Sequence, residues 1–126
     1  MRLRTPLKHA KGLGSAGDGV HHWLVQRLTA IALIPLFAWF VISMILMVGA
    51  DHQTVVAWMA SPVTTALLVL FIGVLFYHSE LGVQVVLEDY VSSKAKLVTA
   101  LILSRFLHFF LAVAGIIAVL RVAFGA

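Results

Sequence analysis

The stretch LTAIALIPLFAWFVISMILMVGA, residues 28–50, runs for 23 positions without a charged side chain. A bilayer's hydrocarbon core is crossed by about 20 apolar residues of α-helix, so this segment is long enough to span it. Pro35 lies inside the run. A membrane helix tolerates it because neighbouring helices and side chains re-satisfy the freed carbonyl. Working outward, a second apolar segment runs from about Pro62 to Glu88. A third runs from about Lys96 to Leu120, interrupted by Arg105 and His108.

Composition agrees with that reading. The 126 residues are 62% hydrophobic and 11% charged, with a mean hydropathy of +1.06, too apolar for a soluble domain of this size. The expected fold is all-α: an integral membrane protein of three transmembrane helices, at about 23–50, 62–90 and 95–122, forming part of a heteromeric helical bundle. The segment KGLGSAGDG ahead of the first span reads as a flexible leader, with residues 1–20 outside the membrane and 21–126 forming the anchor. A cleaved signal peptide is not expected, because the first apolar run starts late and is too long for such a segment.

Orientation follows from lysine and arginine. Arg2, Arg4, Lys8, Lys11 and Arg27 precede or open the first span, and Lys94 and Lys96 lie between the second and third. The intervening segment DHQTVVAWMAS has neither residue, and the C-terminal tail has only Arg121. The N-terminus is therefore expected in the cytoplasm and the C-terminus in the periplasm. The net charge of +4 is spread over membrane flanks, not gathered into a basic, aromatic-interleaved domain, so no nucleic-acid partner is expected. With no cysteine in the chain, thiolate metal sites, disulfides and cysteine nucleophiles are excluded.

The second span ends in FYHSELGVQVVLEDYV, residues 76–91, which puts a histidine, three carboxylates and a tyrosine within the thirteen positions from His78 to Tyr90. On a helix His78 and Asp89 are three turns apart with a remainder of about 20°, so they share a face with Gly82 and Val85. Gly82 either leaves room for a bulky planar group or permits close helix packing. Counted from the cytoplasmic ends, Glu80 and Arg105 lie roughly 15 and 14 Å deep, and His78 and His108 both roughly 18 Å. An unpaired charge near the bilayer centre costs about 2.5–3.5 kcal/mol, so Glu80 and Arg105 are expected to pair, within the chain or with a partner helix. His78 is open to three readings: a metal or haem ligand, a proton relay, or a histidine hydrogen-bonded to a neighbouring helix. Equal depth also permits both histidines to ligate one haem. His9 and His52 read as solvated, and His21 and His22 as interfacial.

The segments HSELGVQVVLEDYV and GVHHWLVQRLTAIAL, with the three spans and their spacing, resemble the smaller hydrophobic membrane-anchor subunit of succinate dehydrogenase, respiratory complex II, in its alphaproteobacterial form. The resemblance covers most of the chain and rests on a compound pattern: a histidine followed at fixed distance by Asp-Tyr, and an arginine and threonine opening the first span. It implies that His78 supplies one axial ligand of haem b, the other coming from the larger cytochrome b anchor of the complex. It further implies that Tyr90 hydrogen-bonds a ubiquinone carbonyl, that Asp89 helps organise that site, and that Arg27, with His21 as a weaker candidate, lies near the haem propionates. Glu80 and His108 depart from the family pattern.

The implied activity is electron transfer from an iron-sulfur subunit to quinone in a bacterial inner membrane. The chain has no dinucleotide fingerprint, flavin domain or iron-sulfur ligands, so flavoprotein and iron-sulfur subunits are implied as partners, with no catalytic residue in this chain alone. A phenol at Tyr90 would donate to the quinone oxygen on which negative charge grows. Asp89 would hold an arginine or a proton-relaying water. Without the resemblance, Glu88, Asp89 and Tyr90 read as a helix end with an aromatic anchor in the interface. Two other classes remain beside this one: a haem-free structural or quinone anchor, and a small proton-relay or transport subunit using Glu80, His78 and Arg105.

Overall fold

The computed structural model describes residues 14–125, with side chains from residue 19 onward, and every regular element among them is helical. Four helices follow in order: α1 Gly14–Leu46, α2 His52–Ala60, α3 Pro62–Tyr90 and α4 Lys94–Ala123. Three of them, α1, α3 and α4, are long and apolar enough to cross a membrane, which is the expected all-α, three-span fold. At 1.5 Å per residue they measure about 50, 43 and 45 Å, so each extends beyond a hydrocarbon core of about 30 Å.

Two expectations change. Gly14–Gly19, placed in a flexible leader, belong to α1. Extending an existing helix adds one hydrogen bond per residue fixed and repeats no nucleation cost, which offsets the modest penalty of each glycine. The rest of the leader, with Arg2, Arg4, Lys8, His9 and Lys11, lies outside the described residues. The second change is α2, which occupies most of the segment read as a plain connection. Asp51 starts it: its carboxylate accepts from the Thr54 amide at 2.9 Å, satisfying a donor that a helix N-terminus otherwise leaves unpaired. The hydrogen bond from the Thr54 side chain and then that from its amide hold the Asp51 carboxyl below its usual pKa. Ahead of it, Gly49 adopts φ +83°, a left-handed conformation that glycine enters without a Cβ clash, and closes α1.

Nine residues are too few for a stable isolated helix, and packing holds α2 in place. Trp58 stacks on Trp39 of α1, with ring centroids 6.0 Å apart. Its last turn is joined to α3 by the Thr65 hydroxyl, which donates to Met59 O at 2.7 Å. Pro62, at the start of α3, has no amide proton and a preset φ, which suits the first turn of a helix.

The central helix is α3, with α1 on one side and α4 on the other. Phe71 of α3 is buried against Phe40 and Phe37 of α1, at centroid distances of 5.1 and 6.2 Å. Toward α4, Gly115 brings the backbone close enough that a Cβ there would lie 3.4 Å from Ile72 Cγ2. Only Leu36, Leu68, Phe71, Leu81 and Val119 are buried apolar residues among those described. The outer faces carry Ile34, Phe106, Phe109 and Phe110, all exposed, a surface suited to acyl chains or another apolar helix.

Candidate functional site

Two residues along a helix turn the side chain by about 200°, so His78 and Glu80 of α3 face different neighbours. His78 faces α1. Its Nδ1 lies 2.9 Å from the Thr29 hydroxyl oxygen, while that hydroxyl also lies 2.9 Å from Gln26 O and 3.0 Å from Val25 O. Its Nε2 makes no hydrogen bond to a described residue. The ring borders a shallow cleft of about 430 Å³ lined by Ala30, Leu33, Ile34, Phe37, Ala38 and Leu75. Arg27 lies seven residues before Ile34, about 20° from it around α1, and so extends the cleft-lining face toward the N-terminus. Its guanidinium rests 5.4 Å from the centroid of the Trp23 ring.

Gly82, one turn further along α3, faces α1 at ordinary contact distance. A Cβ there would be 3.8 Å from Gln26 Nε2 of α1. Close by on α1, His22 Nε2 and Gln26 Oε1 are buried without a hydrogen-bond partner.

The opposite face of α3 meets α4. Arg105 Nε is 3.5 Å from Glu80 Oε1, so the expected pair forms within the chain. Beside it, His108 is fully engaged. Its Nδ1 lies 2.7 Å from Ser104 O, and since a carbonyl only accepts, Nδ1 carries the proton. Nε2 then accepts from the Ser79 hydroxyl at 3.0 Å. The arrangement of both histidines on one haem is not seen: His108, on α4, has no free nitrogen and points at Ser79 of α3, whereas His78, on α3, points away toward α1. The same divergence separates His78 from Glu80 and Arg105, so the three form no continuous relay.

Asp89 and Tyr90 end α3 and are exposed, Tyr90 at 84%. Glu88, next to them, accepts from Gln84 Nε2 at 3.0 Å. His21 and Arg27 are exposed on α1. No hydrogen bond or ion pair among the described residues joins Asp89 or Tyr90 to His21 or Arg27. Nor do the described residues hold a group of three metal-ligating side chains. One imidazole with a free nitrogen can supply a single axial ligand, and an apolar cleft with a cation in register suits a planar apolar group bearing anionic substituents. These residues therefore fit half of a haem site.

Over residues 1–119 the sequence matches the family described as succinate dehydrogenase/fumarate reductase transmembrane subunit. The chain belongs to this family. Among its relatives, the succinate dehydrogenase hydrophobic membrane anchor subunit of Rickettsia bellii is 34% identical over 117 residues, 93% of this chain and 94% of that protein. The protein of the same name from Paracoccus denitrificans is 29% identical over 126 residues, 100% of this chain and 97% of its own length. Both sources are alphaproteobacteria, as the resemblance implied. No solved structure matches.

For a member of the succinate dehydrogenase anchor family, the residue that sequence reasoning passed over is Thr29. It appeared there only as part of a pattern, and its meeting with His78 spans 49 positions in sequence. Ser79 and Ser104 were likewise missed as the partners of His108. Small hydroxyl residues facing an intramembrane histidine at matched depth are the signal that could have found all three.

Proposed function

We propose that this chain is the haem- and quinone-bearing membrane anchor of a succinate:quinone oxidoreductase. His78 supplies one axial ligand of haem b and the larger cytochrome b anchor supplies the other. Flavoprotein and iron-sulfur subunits dock on the cytoplasmic face, at the end of the bundle that carries the N-terminus, Asp89 and Tyr90. The membrane is the bacterial inner membrane. The observation that carries this reading is His78 itself: an imidazole held through one nitrogen by α1, with the other unengaged, beside an apolar cleft whose α1 face continues to Arg27.

Haem would supply a one-electron carrier within the bundle. The chain's own residues would do the rest. Thr29 and α1 hold the imidazole, while the Arg27 guanidinium balances anionic substituents at the end of the cleft. Tyr90, exposed at the end of α3, donates a hydrogen bond to a quinone carbonyl arriving from the bilayer, where charge develops as electrons enter. Asp89 beside it orients a cationic group or a water that delivers protons.

The test is the reduced-minus-oxidised spectrum of the complex purified through this chain, for wild type and His78→Ala, with succinate-to-quinone turnover measured on both. A b-type signal lost or shifted in the variant is expected. An unchanged signal removes His78 as a ligand. Absence of any haem with turnover intact leaves a haem-free quinone anchor.

A further inference from the structure

The Thr29 hydroxyl has one proton and three neighbours: two carbonyls at 2.9 and 3.0 Å and His78 Nδ1 at 2.9 Å. Carbonyl oxygens only accept. If the hydroxyl donated to the imidazole, its oxygen would face both carbonyls at hydrogen-bond distance with no proton between them. The arrangement that satisfies all the contacts has the hydroxyl proton shared between Val25 O and Gln26 O, and the Thr29 oxygen accepting from His78 Nδ1–H. A neutral imidazole protonated at Nδ1 carries its lone pair on Nε2, the nitrogen without a partner among the described residues.

We infer that Thr29 is the positioning residue for His78, fixing both its tautomer and its ring orientation so that Nε2 is the ligating atom. This rests on the haem reading above. A second consequence concerns ligand strength. An imidazole whose Nδ1–H is hydrogen-bonded is more basic at Nε2, and a more basic ligand favours the oxidised iron. Thr29 therefore holds the midpoint potential of the haem below the value that an unsupported imidazole would give. The acceptor is itself poised, because the two helix carbonyls draw the hydroxyl proton away and leave electron density on the oxygen. No carboxylate approaches His78 among the described residues. Glu80 is on the far side of α3 with Arg105, so a hydroxyl sets the strength of this interaction.

The test compares Thr29→Val, which keeps the shape and removes the acceptor, with Thr29→Ser, which keeps the acceptor, in the whole purified complex beside His78→Ala. Redox titration and low-spin ferric EPR are the readouts. Thr29→Val is expected to raise the midpoint potential and to broaden the EPR signal as the ring loses its fixed orientation, whereas Thr29→Ser reproduces the wild type. Thr29→Cys retains a weak acceptor and should give a smaller rise, which also serves if the valine variant fails to assemble. Wild-type potential and EPR in Thr29→Val, or in Thr29→Cys in its place, overturn the role of Thr29. If His78→Ala loses haem in the same experiment, the ligand assignment stands without it. Haem retained unchanged in His78→Ala overturns both.

Discussion

The ion pair between α3 and α4 can be separated into its parts by a double-mutant cycle on Glu80→Gln and Arg105→Met. The Glu80 side chain is 17% exposed and that of Arg105 is 69% exposed, with 3.5 Å between Nε and Oε1. At that distance, and an effective dielectric constant of about 20, the attraction is about 5 kcal/mol. What a single substitution exposes is the orphaned partner, whose cost in the bilayer interior is about 2.5–3.5 kcal/mol. Because Arg105 is largely uncovered within this chain, part of that cost is relieved by extending its long side chain toward the interface, so each single substitution should destabilise by about 2–3 kcal/mol. This is a shift of roughly 30- to 150-fold in the unfolding equilibrium. The double substitution leaves no charge unpaired and should cost no more than either single one, giving a coupling of about 2–3 kcal/mol. The assay is titration of the purified complex with a denaturing detergent, followed by far-UV circular dichroism. Losses that add to within about 0.5 kcal/mol would refute direct pairing.

Two further outcomes are expected. Tyr90→Phe removes a hydrogen-bond donor without changing the helix end, and should lower quinone turnover by about 10²-fold while leaving the haem spectrum intact; unchanged turnover with a soluble quinone removes Tyr90 from the site. Asp51→Ala should speed hydrogen exchange at the Thr54 amide and through α2, and Asp51→Asn, which keeps an acceptor but not the charge, should do so by less. Since folding lowers the Asp51 pKa, the stability that its charge contributes is present above the unfolded-state value and is lost as pH falls through the lower folded-state value. The same exchange experiment repeated across the acid range should show α2 loosening there, and protection independent of pH would count against the cap.

The spans were legible because membrane burial imposes a pattern strong enough to read in one sequence: three long apolar runs with charged or proline-marked ends. Lys94 and Pro62 begin α4 and α3 within a residue or two of the positions read from composition. The pairing of Glu80 with Arg105 was legible from cost and depth alone, since an isolated charge at either position would be unfavourable. Depth failed for the histidines, because it says nothing of azimuth. His78 and His108 lie at similar levels, but His78 of α3 points to α1 while His108 of α4 points back at α3. The short α2 was missed because it lacks a long apolar period, although Asp51 before it and Pro62 after it were boundary signals in plain view. At the start of α1, glycine-rich composition argues against helix, but continuation from an established helix outweighs it.

The stacked Trp39–Trp58 pair has a bearing on how the protein meets membranes of different thickness. At one end α2 ties α1 to α3 through that stack and through Thr65, and several turns further along α1 Thr29 grips His78. Two fastenings along one interface prevent α1 from sliding past α3. Hydrophobic mismatch would then be absorbed by tilt of the helix pair as a unit or by deformation of the surrounding lipid. The surroundings of His78 should stay constant when acyl-chain length changes, and a redox group bound there would keep its potential across bilayers that differ by several ångströms.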